Sequence, residues 1–194
     1  SFSKKGFTLI ELLMVVAIIG ILASIVLASL GYAREQARNK AVVQQMDQYA
    51  KALELYYSDN GRYPSGFSAN DVVQARRAYC IGSSYTGTPN FCLPSGAFNV
   101  STLVGGNVNS HIETALVPNY IPSLPNATIN VDGVQYMSPA YMNSDYLGTS
   151  GTEYRTYTLW YALEGVGQNC GKGVDNGVAP SVTGITLCRL SLGN

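Results

Sequence analysis

From Phe7 to Leu30 the chain reads FTLIELLMVVAIIGILASIVLASL, an apolar run interrupted only by Glu11 and a few small hydroxyl residues. These 24 residues predict an α-helix of about 36 Å, long enough to cross a hydrocarbon core of about 30 Å. After Tyr32 the pattern becomes amphipathic: Val42, Met46, Tyr49, Ala50, Leu53, Tyr56 and Tyr57 recur at helical spacing, with Arg34, Arg38, Lys40, Asp47 and Lys51 largely off that face. Asp47 and Lys51 are four residues apart, a spacing that supports an ion pair. Asn60-Gly61 supplies a C-terminal stop and Pro64 blocks continuation, so residues 7–59 form one continuous helix.

Beyond Pro64 the chain turns to Gly, Ser, Asn, Thr and Tyr. A short helix is predicted at Asn70–Tyr79 and another at Ser110–Val117, ended by Pro118. Strands are predicted at Val134–Ser138, at Tyr154–Leu163, where side chains alternate, and at Ile185–Leu190. Turn-rich spacers separate them, which implies an antiparallel meander laid across the long helix. The resulting fold class is α+β: a long N-terminal α-helix whose hydrophobic half protrudes and whose amphipathic half packs on an antiparallel β-sheet head. The segments are 1–6, ahead of the apolar run; 7–30, the apolar half-helix; 31–60, the amphipathic half; and 61–194, the head.

Composition narrows the role. Charged residues make up 12% of the chain, about half the usual share, so much of its surface is Ser, Thr, Asn and Tyr, as on proteins that pack against copies of themselves. The formal net charge is +0, with residues 1–64 slightly basic and the remainder mildly acidic. No basic patch is available to neutralise phosphates, which excludes nucleic-acid binding as the main role.

Glu11 decides between readings of the apolar run. A cleaved secretory signal also has a basic start and an apolar centre, but this run is long for one. No small-x-small site follows it, and a carboxylate sits inside it. In a plain single-span anchor Glu11 would be incidental, yet an acid within an apolar span is expensive and is more often functional. Lys4 and Lys5 precede the run and the next charge after Glu11 is Arg34, so the positive-inside rule keeps the Lys-bearing end in the cytoplasm and exports the rest.

Lys4-Lys5-Gly6-Phe7-Thr8-Leu9-Ile10-Glu11-Leu12 resembles the class III signal of type IV pilins and the related pseudopilins of type II secretion. The resemblance implies a pilin-like fold, cleavage between Gly6 and Phe7 by a prepilin peptidase, and N-methylation of the new Phe7 amine. Residues 1–6 are then a leader that the chain as given retains. Glu11 falls at the fifth residue after the scissile bond, where the family keeps its glutamate. It is placed to meet the Phe7 amine of its own chain or, as the family implies, of a neighbouring copy. Many members carry proline where this chain has Ala28; Gly20 sits where the family often has a helix-weakening glycine, and Gly20 and Gly31 are the weak points of the helix. The segment Leu53–Pro64 also resembles the end of the pilin helix, and Tyr120–Pro125 a segment that precedes the pilin sheet.

Cys80, Cys92, Cys170 and Cys188 allow three pairings. Nearest-neighbour pairing joins Cys80 to Cys92 and Cys170 to Cys188, each closing a short loop worth about 3 kcal/mol on the chain-entropy model. Export to an oxidising compartment suits disulfides. The Cys170–Cys188 loop resembles the disulfide-bounded region that varies among pilins. Zinc lacks Cys-x-x-Cys spacing and histidine partners. His111, the single histidine, has no nucleophile pattern near it and reads as a surface or helix-start residue. Asp132-Gly133 and Asp175-Asn176-Gly177 read as turns rather than calcium loops, and Asn99-Val-Ser and Asn126-Ala-Thr are glycosylation triplets of the kind that arise by chance.

No cofactor, metal site or catalytic constellation is expected. The resemblance implies a structural subunit: a major type IV pilin polymerising through its N-terminal helices. It passes from the inner membrane to an extracellular pilus with the prepilin peptidase and assembly machinery as partners, for adhesion, motility or DNA uptake; DNA and a host surface remain unspecified partners. A type II secretion pseudopilin and a minor pilin acting as an adhesin are the alternatives.

Overall fold

The structure is a computed structural model that describes residues 6–64, 78–81, 110–123, 127–131, 134–143, 156–175, 177 and 184–193. Helix α1 runs unbroken from Leu9 to Asn60, 52 residues or about 78 Å of helix. It ends as its sequence dictates: Gly61 adopts φ 69°, a left-handed conformation open to glycine, and its N–H donates to the Tyr57 carbonyl at 2.8 Å.

The chain divides into two compact units, Ser1–Arg38 and Asn39–Asn194. In the first, every residue from 6 to 34 is exposed. The second contains the packed part of α1, with Val42, Met46, Tyr49, Ala50, Ala52 and Leu53 buried. Five of these are among the seven positions that the periodicity singles out, Ala52 is additional, and the other two, Tyr56 and Tyr57, are half-buried. Asp47 is ion-paired with Lys172 at 3.7 Å, rather than with Lys51 as its spacing suggests.

Among the described residues the strands are β1 (Ala78–Cys80), β2 (Ala127–Val131), β3 (Val134–Ser138), β4 (Ala140–Asn143), β5 (Tyr157–Glu164), β6 (Val174–Asp175) and β7 (Ile185–Leu192), and helix α2 is Ser110–Leu116. A five-stranded antiparallel sheet has the order β1-β4-β5-β7-β6, and β2 pairs with β3 in a separate hairpin. The α+β class with a long helix and an antiparallel sheet is therefore as the pattern implies.

Three expectations are corrected. Ala78 and Tyr79, assigned to the end of a helix, lie in β1 and pair with Met142 and Tyr141 of β4; residues 70–77 fall outside the described residues. The sheet is not a simple meander, because β7 inserts between β5 and β6. Finally, β5 does not alternate between core and solvent: Tyr157 to Leu163 are all buried. The reason is cover on both faces, since β2 and β3 also pack against β5 while its side chains share one core cluster with α1.

That core is rich in tyrosine. Tyr49, Tyr63, Tyr141, Tyr157 and Tyr161 are all fully buried. Rings run in sequence from Tyr57 to Tyr63 (4.7 Å between centroids), Tyr157 (4.6 Å) and Tyr141 (5.9 Å). Their hydroxyls find acceptors: Tyr63 donates to Glu54 at 2.8 Å, Tyr141 to the Pro64 carbonyl at 2.8 Å, and Tyr161 to the Cys170 carbonyl. Burial, aided by the Asp47 carboxylate, pushes the Tyr161 phenol up to about 12, and burial drives Tyr49, Tyr63 and Tyr157 further in the same direction.

The unfolded chain releases these phenolic protons near pH 10 and the native chain only above it. Stability is thus complete below about pH 10 and falls as pH rises through about 12. Thermal melts followed by circular dichroism at pH 8 and pH 11 are expected to show a lower Tm at pH 11; equal values would refute this assignment.

Asn39, the first buried residue of α1, is the polar exception in the packed face. Its Nδ2 donates to the Glu164 carbonyl at 2.8 Å, and its Oδ1 accepts the Glu164 N–H at 2.9 Å. The side chain thereby satisfies both backbone groups at the end of β5.

Candidate functional site at the start of the apolar helix

Helix α1 begins with a reciprocal cap. Thr8 precedes the first helical residue, and its Oγ1 accepts the Glu11 N–H at 3.3 Å. The Glu11 carboxylate reaches back, accepting the Thr8 N–H at 2.8 Å and the Thr8 hydroxyl at 2.6 Å. This is a capping box, Thr-x-x-Glu, which satisfies backbone donors that a helix start otherwise leaves open. The carboxylate also lies at the positive end of the helix dipole. Glu11 is therefore bound within its own chain by Thr8, a residue that the sequence reading passed over even though the four-residue pattern was present to be found.

Gly6, Phe7 and Thr8 precede the helix in non-helical conformation, and Phe7 is 82% exposed. The Gly6–Phe7 peptide bond thus lies on accessible, non-helical chain. Lys4 and Lys5 lie outside the described residues.

Downstream, α1 passes through Gly20, Ala28 and Gly31 without a break, and a side chain at either glycine would meet open space. Leu9, Ile10, Leu12, Leu13, Ile18, Ile21 and Leu27 are all more than half exposed. A continuous apolar surface of this extent needs a lipid or protein cover. By length and composition α1 is the one described helix able to cross a membrane.

Far along the chain, Cys170 and Cys188 are joined by a buried disulfide with a Cα–Cα distance of 5.7 Å. Its loop carries Asp175, whose Oδ1 accepts the Gly177 N–H at 2.7 Å, a local turn. Cys92 lies outside the described residues, as do Asn99, Asn126, Asp132 and Gly133; His111 stands in the first turn of α2.

Residues 1–27 match the family model described as the prokaryotic N-terminal methylation motif. The chain is also 32% identical, over 120 residues, to the type IV wide pilus major component PilA4 of Thermus thermophilus, covering 60% of this chain and 84% of that protein. The chain belongs to the type IV pilin and pseudopilin family.

Further relatives of this pilin-family chain are the type II secretion system core proteins G of Pectobacterium carotovorum and Klebsiella michiganensis. They are 39% identical over 64 residues and 41% identical over 63 residues. Those matches cover 33% and 32% of this chain, and 41% and 44% of the relatives, so the chain spans less than half the length of these two. No solved structure gives a significant match. Family members are structural subunits of pili and pseudopili, which makes this chain a subunit of one or the other. Membership also implies prepilin-peptidase processing and polymerisation into filaments. The exposed apolar helix fits a precursor anchored in a membrane and a subunit later buried in a fibre.

Proposed function

We propose that this chain is the major subunit of a type IV pilus, polymerising through its N-terminal helices into a surface fibre for adhesion, motility or DNA uptake. The observation that carries this reading is the extent of likeness: it runs over 120 residues with the pilus major component but over 64 or fewer with the two core proteins G above. A pseudopilus subunit is the second reading, favoured by the higher identity, 41% and 39%, within that shorter stretch.

On this reading the peptidase removes residues 1–6, Phe7 becomes an N-methylated amine, and residues 7–30 serve first as a span and then as fibre core. Residues 31–60 and 61–194 are the packed half-helix and the head. The Lys4-Lys5 end faces the cytoplasm and the head is exported. In the fibre Glu11 exchanges its Thr8 contacts for the Phe7 amine of a neighbouring copy. Gly20 and Gly31 are the places where the helix yields, and Cys80 pairs with Cys92.

Electron microscopy of sheared surface fibres, with mass spectrometry of their subunit, tests the reading. Long filaments built from a chain that begins at methylated Phe7 are expected. A chain that stays in the envelope without filaments would assign it to the pseudopilus.

A further inference from the structure

The Asn39–Asn194 unit carries two further features. One is a turn, Gly165-Val166-Gly167, directly after β5. Both glycines have positive φ, 88° and 68°, so the chain reverses tightly and leaves Val166 as a slim tip, 64% exposed. The turn is pinned from below. Gly165 donates its N–H to the Gly184 carbonyl at 2.7 Å, and its own carbonyl accepts the Thr186 hydroxyl at 2.8 Å. The same hydroxyl oxygen accepts the Gln168 N–H at 2.9 Å. An isolated exposed valine is ordinary, but one held out on a rigid, hydrogen-bonded turn is prepared for contact without further loss of freedom.

The other feature is an open groove of about 480 Å³ between α1 and β7. Ala50, Leu55, Leu190 and Leu192 make it apolar, and Lys51, Glu54 and Lys172 stand around it. Leu55 is 55% exposed.

The two lie at opposite ends of the same strand pair. Glu164, next to the turn, pairs with Ile185, whereas Tyr157, at the other end of β5, pairs with Leu192 of the groove. Seven residues of strand separate them, about 24 Å. The helix repeats this polarity, since Asn39 binds Glu164 and Ala50 accepts the Tyr157 hydroxyl. A tip and a socket on opposite ends of one body make a heterologous contact, which leaves a free tip and a free socket after every addition and so grows open filaments. Charge agrees with this pairing: two of the three charged groups around the socket are lysines, and the charged residue beside the tip is Glu164.

We infer that Val166 of one subunit seats in the groove between α1 and β7 of the next copy, a head-to-tail contact that adds to the joining of the N-terminal helices. This rests on the filament reading above. Both positions are exposed, so substitutions there leave the head folded.

The test uses full-length chain assembled in cells. Fibres carrying both Val166→Cys and Leu55→Cys, oxidised with copper phenanthroline, are expected to give a ladder of covalent multimers that neither single variant gives. Val166→Asp and Leu55→Asp are each expected to lower fibre yield about tenfold, the change that 1.4 kcal/mol produces. Fibres that form without a ladder, with Val166→Asp yield unchanged, overturn the inference and leave the filament reading intact. Loss of fibres in Leu55→Asp alone means that the groove takes another partner, which also overturns it. Absence of any polymer from the unaltered chain defeats the filament reading and this contact with it.

Discussion

Glu11→Ala is expected to leave the chain in the membrane fraction at normal levels while reducing fibre yield at least tenfold. Insertion depends on the apolar run, and removing an acid makes that run more apolar. Assembly places different demands on the same residue. On the proposed cleavage between Gly6 and Phe7, Phe7 gains an α-amine, cationic at neutral pH, and burying it among apolar helices requires an anionic partner. Glu11→Gln separates the two roles of the side chain. A glutamine at this position can still reach back to the Thr8 N–H and complete the capping box, but it carries no charge. If charge pairing drives assembly, Glu11→Gln fails as Glu11→Ala does. If capping is what matters, Glu11→Gln makes fibres and Glu11→Ala does not. Quantifying sheared fibres from both variants decides the matter, and normal yield from Glu11→Ala would remove Glu11 from assembly altogether.

Replacing Cys170 and Cys188 together by alanine is expected to weaken the head by about 3 kcal/mol, the value for closing a loop with an 18-residue sequence separation. For a domain of this size that corresponds to a drop in Tm of roughly 6–12 °C. The bridge holds the carbonyl of Cys170 under the Tyr161 hydroxyl and ties the preceding loop to the middle of β7. Gly173 packs so closely on the Tyr161 hydroxyl that an added Cβ would clash with it, so the loop has little room to rearrange once the bridge is gone. Melting the oxidised protein beside the double variant and beside protein treated with reductant tests this. An unchanged Tm would show that packing alone holds the loop.

How far the fold was legible depends on where each element's determinants lie. Those of α1 are local: periodic apolar positions, Asn60-Gly61 as a stop, and Pro64 beyond it. The helix accordingly runs close to where the pattern puts it, beginning at Leu9 rather than Phe7, and α2, β3 and most of β7 also fall where predicted. Short strands are different. Three-residue β1 and four-residue β4 exist because they pair with each other and β4 with β5, partners far off in sequence, so no local pattern marks them. Without those partners Ala78 and Tyr79 look like the end of a helix. The site was legible in its chemistry and incomplete in its geometry. Glu11 stood out as an acid in an apolar run, but Thr8 did not, because a threonine beside a hydrophobic segment draws no notice until the three-residue spacing is checked. Asn39 could not have been found at all, since what makes it matter lies 125 residues away.

That asparagine has a mechanical consequence. A subunit of a pilus or pseudopilus filament carries load along its length, and any pull on the apolar end of α1 travels down the helix until something anchors it. Asn39 is the first buried residue that such a load meets, and there it passes into the sheet through two hydrogen bonds to one residue, Glu164. Apolar side chains can slide past one another under strain with little change in contact. A paired donor and acceptor cannot shift along the strand without both bonds breaking together, so the helix is gripped in register at the point where tension enters the head.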